Sequence, residues 1–296
     1  MGKLIFQNLL LILILGLNLS GCATMETPKN TEQENRKPAS HSWGNYHWAR
    51  TASQVTLKLG DCLTAGSWKA HLLQASNDWN NPEQFGAAST PLLTTIEPGS
   101  SALKRCKMAT GTTQVCNSKY GNNGWLGLAS ININGDHIIQ GMAKMNDTYF
   151  NTSKYNNPNE KLHVMCQEIA HTFGLDHQSE DGSSLNTCMD YFSNTGTNAT
   201  STLSTRPNAH DFEQLNALYA HLDTSTTIAS AAAAAGTSEV NDDPKSWGEF
   251  MREKSRGQSA YYEKFERNGS KTITHIYWTL ETADHCKDCD HRDHSH

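Results

Sequence analysis

Residues 157–191, NPNEKLHVMCQEIAHTFGLDHQSEDGSSLNTCMDY, decide how this chain is read. Asn157, Pro158 and Glu160 predict a helix start, with a capping side chain, a proline at the first helical position and an acid at the third. Leu162, Met165, Cys166, Ile169 and Phe173 then recur at helical spacing as one apolar stripe, which Gly174 ends in the left-handed conformation. Gln167 and His171 are four residues apart, so they leave the same face of the helix, with Glu168 beside them. Gly174 permits a sharp reversal, and His177 folds back toward the same point. Two imidazoles, an amide and a carboxylate around one point predict a metal site.

Zinc in a catalytic role takes three protein ligands and keeps a position open, so the third donor beside His171 and His177 is the question. Gln167 stands in the right place. His163 lies two helical turns before His171, about 12 Å along the axis at about 1.5 Å per residue, too far to share an ion with bonds near 2 Å. Cys166 is rotated by roughly 100° from Gln167 and belongs with the apolar stripe, as a structural or disulfide-bonded thiol. Asp190 is the second choice as a stand-in. A glutamine carbonyl is neutral, as imidazole is, but is a poorer zinc donor, so lower metal affinity is expected.

QEIAHTFGLDH resembles the long zinc signature of the metzincin metalloproteases, H-E-x-x-H-x-x-G-x-x-H, with Gln167 where that family has its first histidine. Glu168 then matches the general base, His171 and His177 the other two ligands, and Gly174 the glycine. Cys188-Met189-Asp190-Tyr191 resembles the family's Met-turn, with a tyrosine two residues after the methionine as in the astacin-like and serralysin-like branches. The resemblance covers residues 43–222. It implies an α/β (α+β) zincin domain with a twisted mixed sheet, an active-site helix, a Met-turn and a C-terminal helix, and residues 125–133 as the edge strand bordering the substrate cleft. The implied activity is zinc-dependent endopeptidase cleavage of a protein or peptide substrate. Zn2+ sits on Gln167, His171 and His177, Glu168 takes a proton from a water activated by zinc, and Tyr191 stabilises the oxyanion or acts as a displaceable ligand. The alternative is a metzincin-like domain that binds peptides without cleaving them, its zinc site weakened at Gln167. The same fold brings Cys166 beside Cys188, and Cys106 and Cys116 are close enough in sequence to close a small loop of their own.

The 296 residues suffice for one substantial domain and a small one, and 36% hydrophobic content is compatible with a core. A net charge of -6 and a pI near 6.1 give no broad basic surface, so nucleic acid is not an expected partner. Lys3 and the apolar run from Leu9 to Leu19 read as a signal peptide over residues 1–22, too short for a transmembrane helix. It ends in Leu19-Ser20-Gly21-Cys22, which resembles the lipobox of bacterial lipoproteins. The expectation is a lipoprotein anchored to a membrane at Cys22 and facing the periplasm or the cell exterior, with a plain secretory signal or an uncleaved anchor as the alternatives. Eight cysteines in an exported chain suggest an oxidising compartment.

Residues 23–42 read as a polar tether, and 43–222 as the main domain. Within it, Val55, Leu57 and Leu59 alternate as in a half-buried strand. Thr64 is expected to cap a helix whose inner face is Trp68, Leu72, Ala75 and Trp79, and Leu92 to Ile96 form a second strand. Ile131, Ile133, Asn134-Gly135, Ile138 and Ile139 predict a hairpin. Asn208 caps a last helix with Phe212, Leu215, Tyr219 and Leu222 as its stripe. Residues 223–244 read as a linker. Residues 245–280 read as a small module whose hairpin, Tyr261 to Phe265 and Ile273 to Trp278, carries exposed aromatics. The Cys/His-rich tail, 281–296, holds His285, Cys286, Cys289, His291, His294 and His296, and reads as a solvated segment, a local disulfide or a metal binder. That tail alone supports a third reading, metal capture by a surface lipoprotein.

Overall fold

The computed structural model describes residues 40–64, 66–99, 104–228, 239–252 and 257–285. The expected signal peptide and lipidation site at Cys22, most of the expected tether, residues 229–238 of the expected linker and the tail from Cys286 onward lie outside the described residues. No helix among the described residues is long and apolar enough to cross a membrane.

In chain order the elements are β1 (His47–Trp48), β2 (Val55–Cys62), α1 (Ser67–Asn80), β3 (Leu92–Pro98), β4 (Ala109–Thr110), β5 (Thr112–Ser118), β6 (Trp125–Asn134), β7 (His137–Asn146), α2 (Asp147–Phe150), α3 (Pro158–His171), α4 (Ala209–Leu218), β8 (Glu249–Phe250), β9 (Ser259–Phe265), β10 (Lys271–Trp278) and α5 (Leu280–His285). Among the described residues, ten strands form one mixed sheet in the order β3-β2-β5-β7-β6-β10-β9-β8, with β1 and β4 pairing with β7. The pairs among β3, β2, β5 and β7 are parallel, while β7-β6, β6-β10 and β10-β9 are antiparallel. The fold is therefore mixed α/β.

Helix α3 starts as its sequence predicts, with the Asn157 side chain accepting from Glu160 N and Pro158 in the first turn. It is buried from His163 through His171, not along one stripe alone, because α1 packs on one side of it and β6 and β7 on another. Helix α1 buries Trp68, Leu72, Ala75 and Trp79 as expected. Thr64 does not cap it: Gly66, at φ 102°, is the N-cap, and Thr64 turns away to Asn117 Oδ1, 2.8 Å from its N–H. The β6–β7 turn falls one residue later than predicted, on Gly135-Asp136, with Asn134 opposite His137. Helix α4 closes with the expected cap, Asn208 and Asp211 forming a reciprocal capping box, but ends at Leu218, so Leu222 is exposed. Both anticipated disulfides are present, Cys106–Cys116 and Cys166–Cys188.

The largest departure concerns the C-terminal hairpin. The described residues form one compact unit, and β10 is hydrogen-bonded along β6 from Lys271 opposite Ile133 to Trp278 opposite Trp125. The segment is not a separate module, and β6 is not an edge strand. Its aromatics are not exposed either: Tyr261, Tyr262, Tyr277 and Trp278 are buried, and Phe265 alone among them faces solvent. Strand alternation explains this, since Ile273 and Tyr277 join the core under the helices while Ile276 and Trp278 join the core on the opposite face. His275 falls on the helix side with the first set.

Candidate metal and catalytic site

His171 occupies the last turn of α3, and Gly174, at φ 99°, turns the chain back beneath it. A Cβ there would lie 2.1 Å from the Tyr46 carbonyl oxygen, so only glycine lets the chain pass between α3 and the N-terminal segment. The reversal carries Leu175 O to 2.9 Å from His171 Nδ1. Nδ1 therefore carries the proton and Nε2 presents its lone pair. His177 follows the same logic: its Nδ1 is held by Glu180 Oε1 at 3.0 Å and by the Tyr261 hydroxyl at 2.9 Å. The Nε2 atoms of both histidines are buried and have no hydrogen-bond partner. An orphaned pair of ring nitrogens is costly unless something binds there.

His275, from the middle of β10, supplies a third imidazole. Its ring centroid lies 4.0 Å from that of His171 and 4.9 Å from that of His177. His171, His177 and His275 each offer a ring nitrogen within 4.8 Å of the others, a group that could hold a metal ion. Burial and the neighbouring imidazoles hold His171 and His275 well below the usual histidine range, so both are neutral, the form a cation needs. Trp43 stacks on His171 at 5.0 Å with an interplanar angle of 9° and closes the other side.

Glu168 lies one residue round the helix from Gln167. Its Oε2 is 3.2 Å from His275 Nδ1, and the other ring nitrogen of His275 is 3.0 Å from the Tyr191 hydroxyl. Gly127 on β6 makes room for this carboxylate, because a Cβ at that position would approach Glu168 Oε1 to 2.3 Å. Burial pushes Glu168 well above the ordinary carboxylate range and Tyr191 well above the ordinary phenol range. The Tyr191 ring also lies beside His177, with centroids 4.4 Å apart.

The structure thus brings Glu168, His171, His177 and Tyr191 together. It gives Gln167 a different setting: the Gln167 amide N–H donates to Cys188 O at 2.8 Å and to Asp190 O at 3.0 Å, fastening α3 to the loop at Met189. The Gln167 carbonyl oxygen is buried without a partner. Asp190, the second choice as ligand, caps its own loop, accepting from Leu185 N, Phe192 N and Ser204 Oγ. His163 points to Asp190 O and Asn194, away from the site. Sequence reading missed His275 and Tyr261, which lie about a hundred residues downstream in short alternating strands. The signal was one histidine on the inward-facing side of β10, and only strand pairing gives that position meaning.

Glu168, His171 and His275 are fully buried. A cavity lined by Glu180, Tyr191, Phe192, Ser193, Gln258 and Asp284 reaches the Tyr191 side from outside. No protein-family model matches the chain, and no curated protein is significantly similar to it.

Proposed function

We propose that the chain is a zinc-dependent endopeptidase of metzincin type, with the C-terminal hairpin closing its cleft in the form described above. The observation that carries this reading is the convergence of His171, His177 and His275 around two orphaned Nε2 atoms, with Glu168 in contact with the group. Three imidazoles suit zinc, a borderline cation that favours nitrogen donors. When bound there, zinc supplies Lewis acidity at the substrate carbonyl.

The chain's own groups do the rest. Glu168 takes a proton from the attacking water and passes it to the leaving amine, a task suited to a carboxylate whose pKa burial has raised. Tyr191 donates its O–H to the developing oxyanion once its hydroxyl is released from His275. In the closed form Glu168 and Tyr191 are both engaged by His275, and β10 occupies the side of β6 where an extended substrate would add to the sheet. Gln167, with a free carbonyl oxygen, is the donor that can take the place of His275 when the hairpin leaves.

The second reading, a peptide-binding domain without catalysis, is favoured by the complete burial of Glu168. The two are separated by cleavage of an unfolded protein substrate, measured on zinc-supplemented full-length chain before and after a cut at a specific protease site engineered at residues 253–256. The endopeptidase reading expects low activity before the cut, a rise after it, and none in Glu168→Ala, which still holds zinc. Folded, zinc-loaded protein that shows no Glu168-dependent cleavage in either state would establish the peptide-binding reading instead.

A further inference from the structure

On the side of the molecule where β1 meets the β6–β7 turn, a second group of histidines surrounds a carboxylate. Strand β1 pairs in parallel with β7 and places His47 directly opposite His137. The chain leaving α4 then delivers His221 and Asp223 to the same point. His47 Nε2 lies 3.2 Å from His221 Nε2 and 3.4 Å from Asp223 Oδ2. His221 Nε2 is 3.4 Å and His137 Nε2 3.2 Å from Asp223 Oδ1.

The His47, His221 and Asp223 separations fit a bound cation. Donor atoms at about 2.0–2.1 Å from a tetrahedral ion are themselves about 3.3–3.4 Å apart. Hydrogen bonding alone explains the cluster less well. His47 Nδ1 is 2.6 Å from Asn45 O, so the ring's proton sits there and Nε2 presents a lone pair toward the other donors. Asp223 is fixed from behind, its Oδ2 accepting from Arg50 N at 2.8 Å and its own N–H donating to Arg50 O at 2.7 Å. First donors held by second partners are what a metal site requires.

We propose that His47, His221 and Asp223 form a second divalent-cation site that takes zinc, with His137 beside it, hydrogen-bonded to Asp223 Oδ1. Its ligands come from β1 and the segment after α4, so the ion clamps two stretches that are far apart in the chain. His47 and Asp223 are the buried half of the site, while the His137 and His221 side chains are 37% and 56% exposed, which leaves the ion a route in. Two imidazole nitrogens and one carboxylate oxygen select zinc over calcium or magnesium, which prefer all-oxygen shells.

The proposal is independent of the peptidase reading and is tested on the full-length chain. Protein stripped with chelator is reloaded with zinc chloride, and bound zinc per chain is measured by elemental mass spectrometry. The tail histidines are common to every variant, so the difference from wild type is the readout. The double variant His137→Gln with His221→Gln alters exposed side chains and is expected to keep the fold and bind one zinc fewer; Asp223→Asn is expected to lose the same ion. Cobalt(II) loading is expected to give the visible absorption of a tetrahedral site in wild type, diminished in these variants. His171→Ala reports on the other site, and its result leaves this one unaffected. Unchanged zinc content and cobalt absorption in folded His137→Gln/His221→Gln protein would overturn the proposal.

Discussion

Gly174 adopts φ 99° with a carbonyl oxygen where a Cβ would be, so Gly174→Ala combines backbone strain with a backbone collision that no side-chain movement relieves. The expected loss is roughly 3 kcal/mol or more, read from the midpoint of denaturant unfolding. Glu160, in the first turn of α3, accepts from Asn194 N and Ser193 Oγ, yet burial raises its pKa to about 7. The sign follows directly. A carboxyl group whose folded pKa lies above its unfolded one binds its proton more tightly in the native state, so its contribution is fully present below about pH 4.5 and is lost as pH rises toward about 7. Stability is therefore expected to fall by up to about 3 kcal/mol across that window, and Glu160→Gln to flatten the slope. An unchanged slope in thermal melts of the variant would dismiss Glu160 as its source. Residue identity made Glu168, His171, Gly174 and His177 legible because they are close in sequence and joined by one helix and one turn. Gln167 was legible as a position but not as a partner, because its amide is directed by a loop about twenty residues away.

Helix α3 is held at two levels, by packing against α1, β6 and β7 and by the Cys166–Cys188 bond to the loop at Met189. That bond closes a loop of 22 residues, for which the chain-entropy model gives about 3 kcal/mol. The paired Cys166→Ser and Cys188→Ser variant is expected to lose a comparable stability and to hold zinc less tightly, since Gln167 reaches Cys188 O and the two anchors act on the same contact. Equal urea midpoints for the variant and the oxidised wild type would refute the estimate. Among the strands, the β6–β7 hairpin was legible from its apolar alternation and its glycine turn. Strand β5, TTQVCNS, was not, because its buried positions carry Thr, Gln and Asn and resemble a loop until the neighbouring strands satisfy them. The end of α4 was misjudged for a related reason. Tyr219 leaves the helix to donate its hydroxyl to Phe173 O, a tertiary contact that outweighs continued helical spacing.

At the scale of the molecule, the resemblance of Leu19-Ser20-Gly21-Cys22 to a lipobox makes membrane anchoring the proposed location. Cys22→Ser is expected to move the protein from the membrane to the soluble fraction; a wild type that is already soluble, with a mature N-terminus other than Cys22, would refute it. The sequence by itself determined the capped helix, the reversal at Gly174 and the set of chemical groups at residues 168–191. Each of these is set by short-range spacing, whereas the Cys166–Cys188 pair depended on the fold that brings α3 to the loop at Met189. Only the tertiary structure decided that β10 pairs with β6, that His275 joins His171 and His177, and that His47, His137, His221 and Asp223 meet. Strand pairing couples segments of any sequence separation with almost no residue-specific code, and the inward or outward direction of a side chain is fixed only once the register is set.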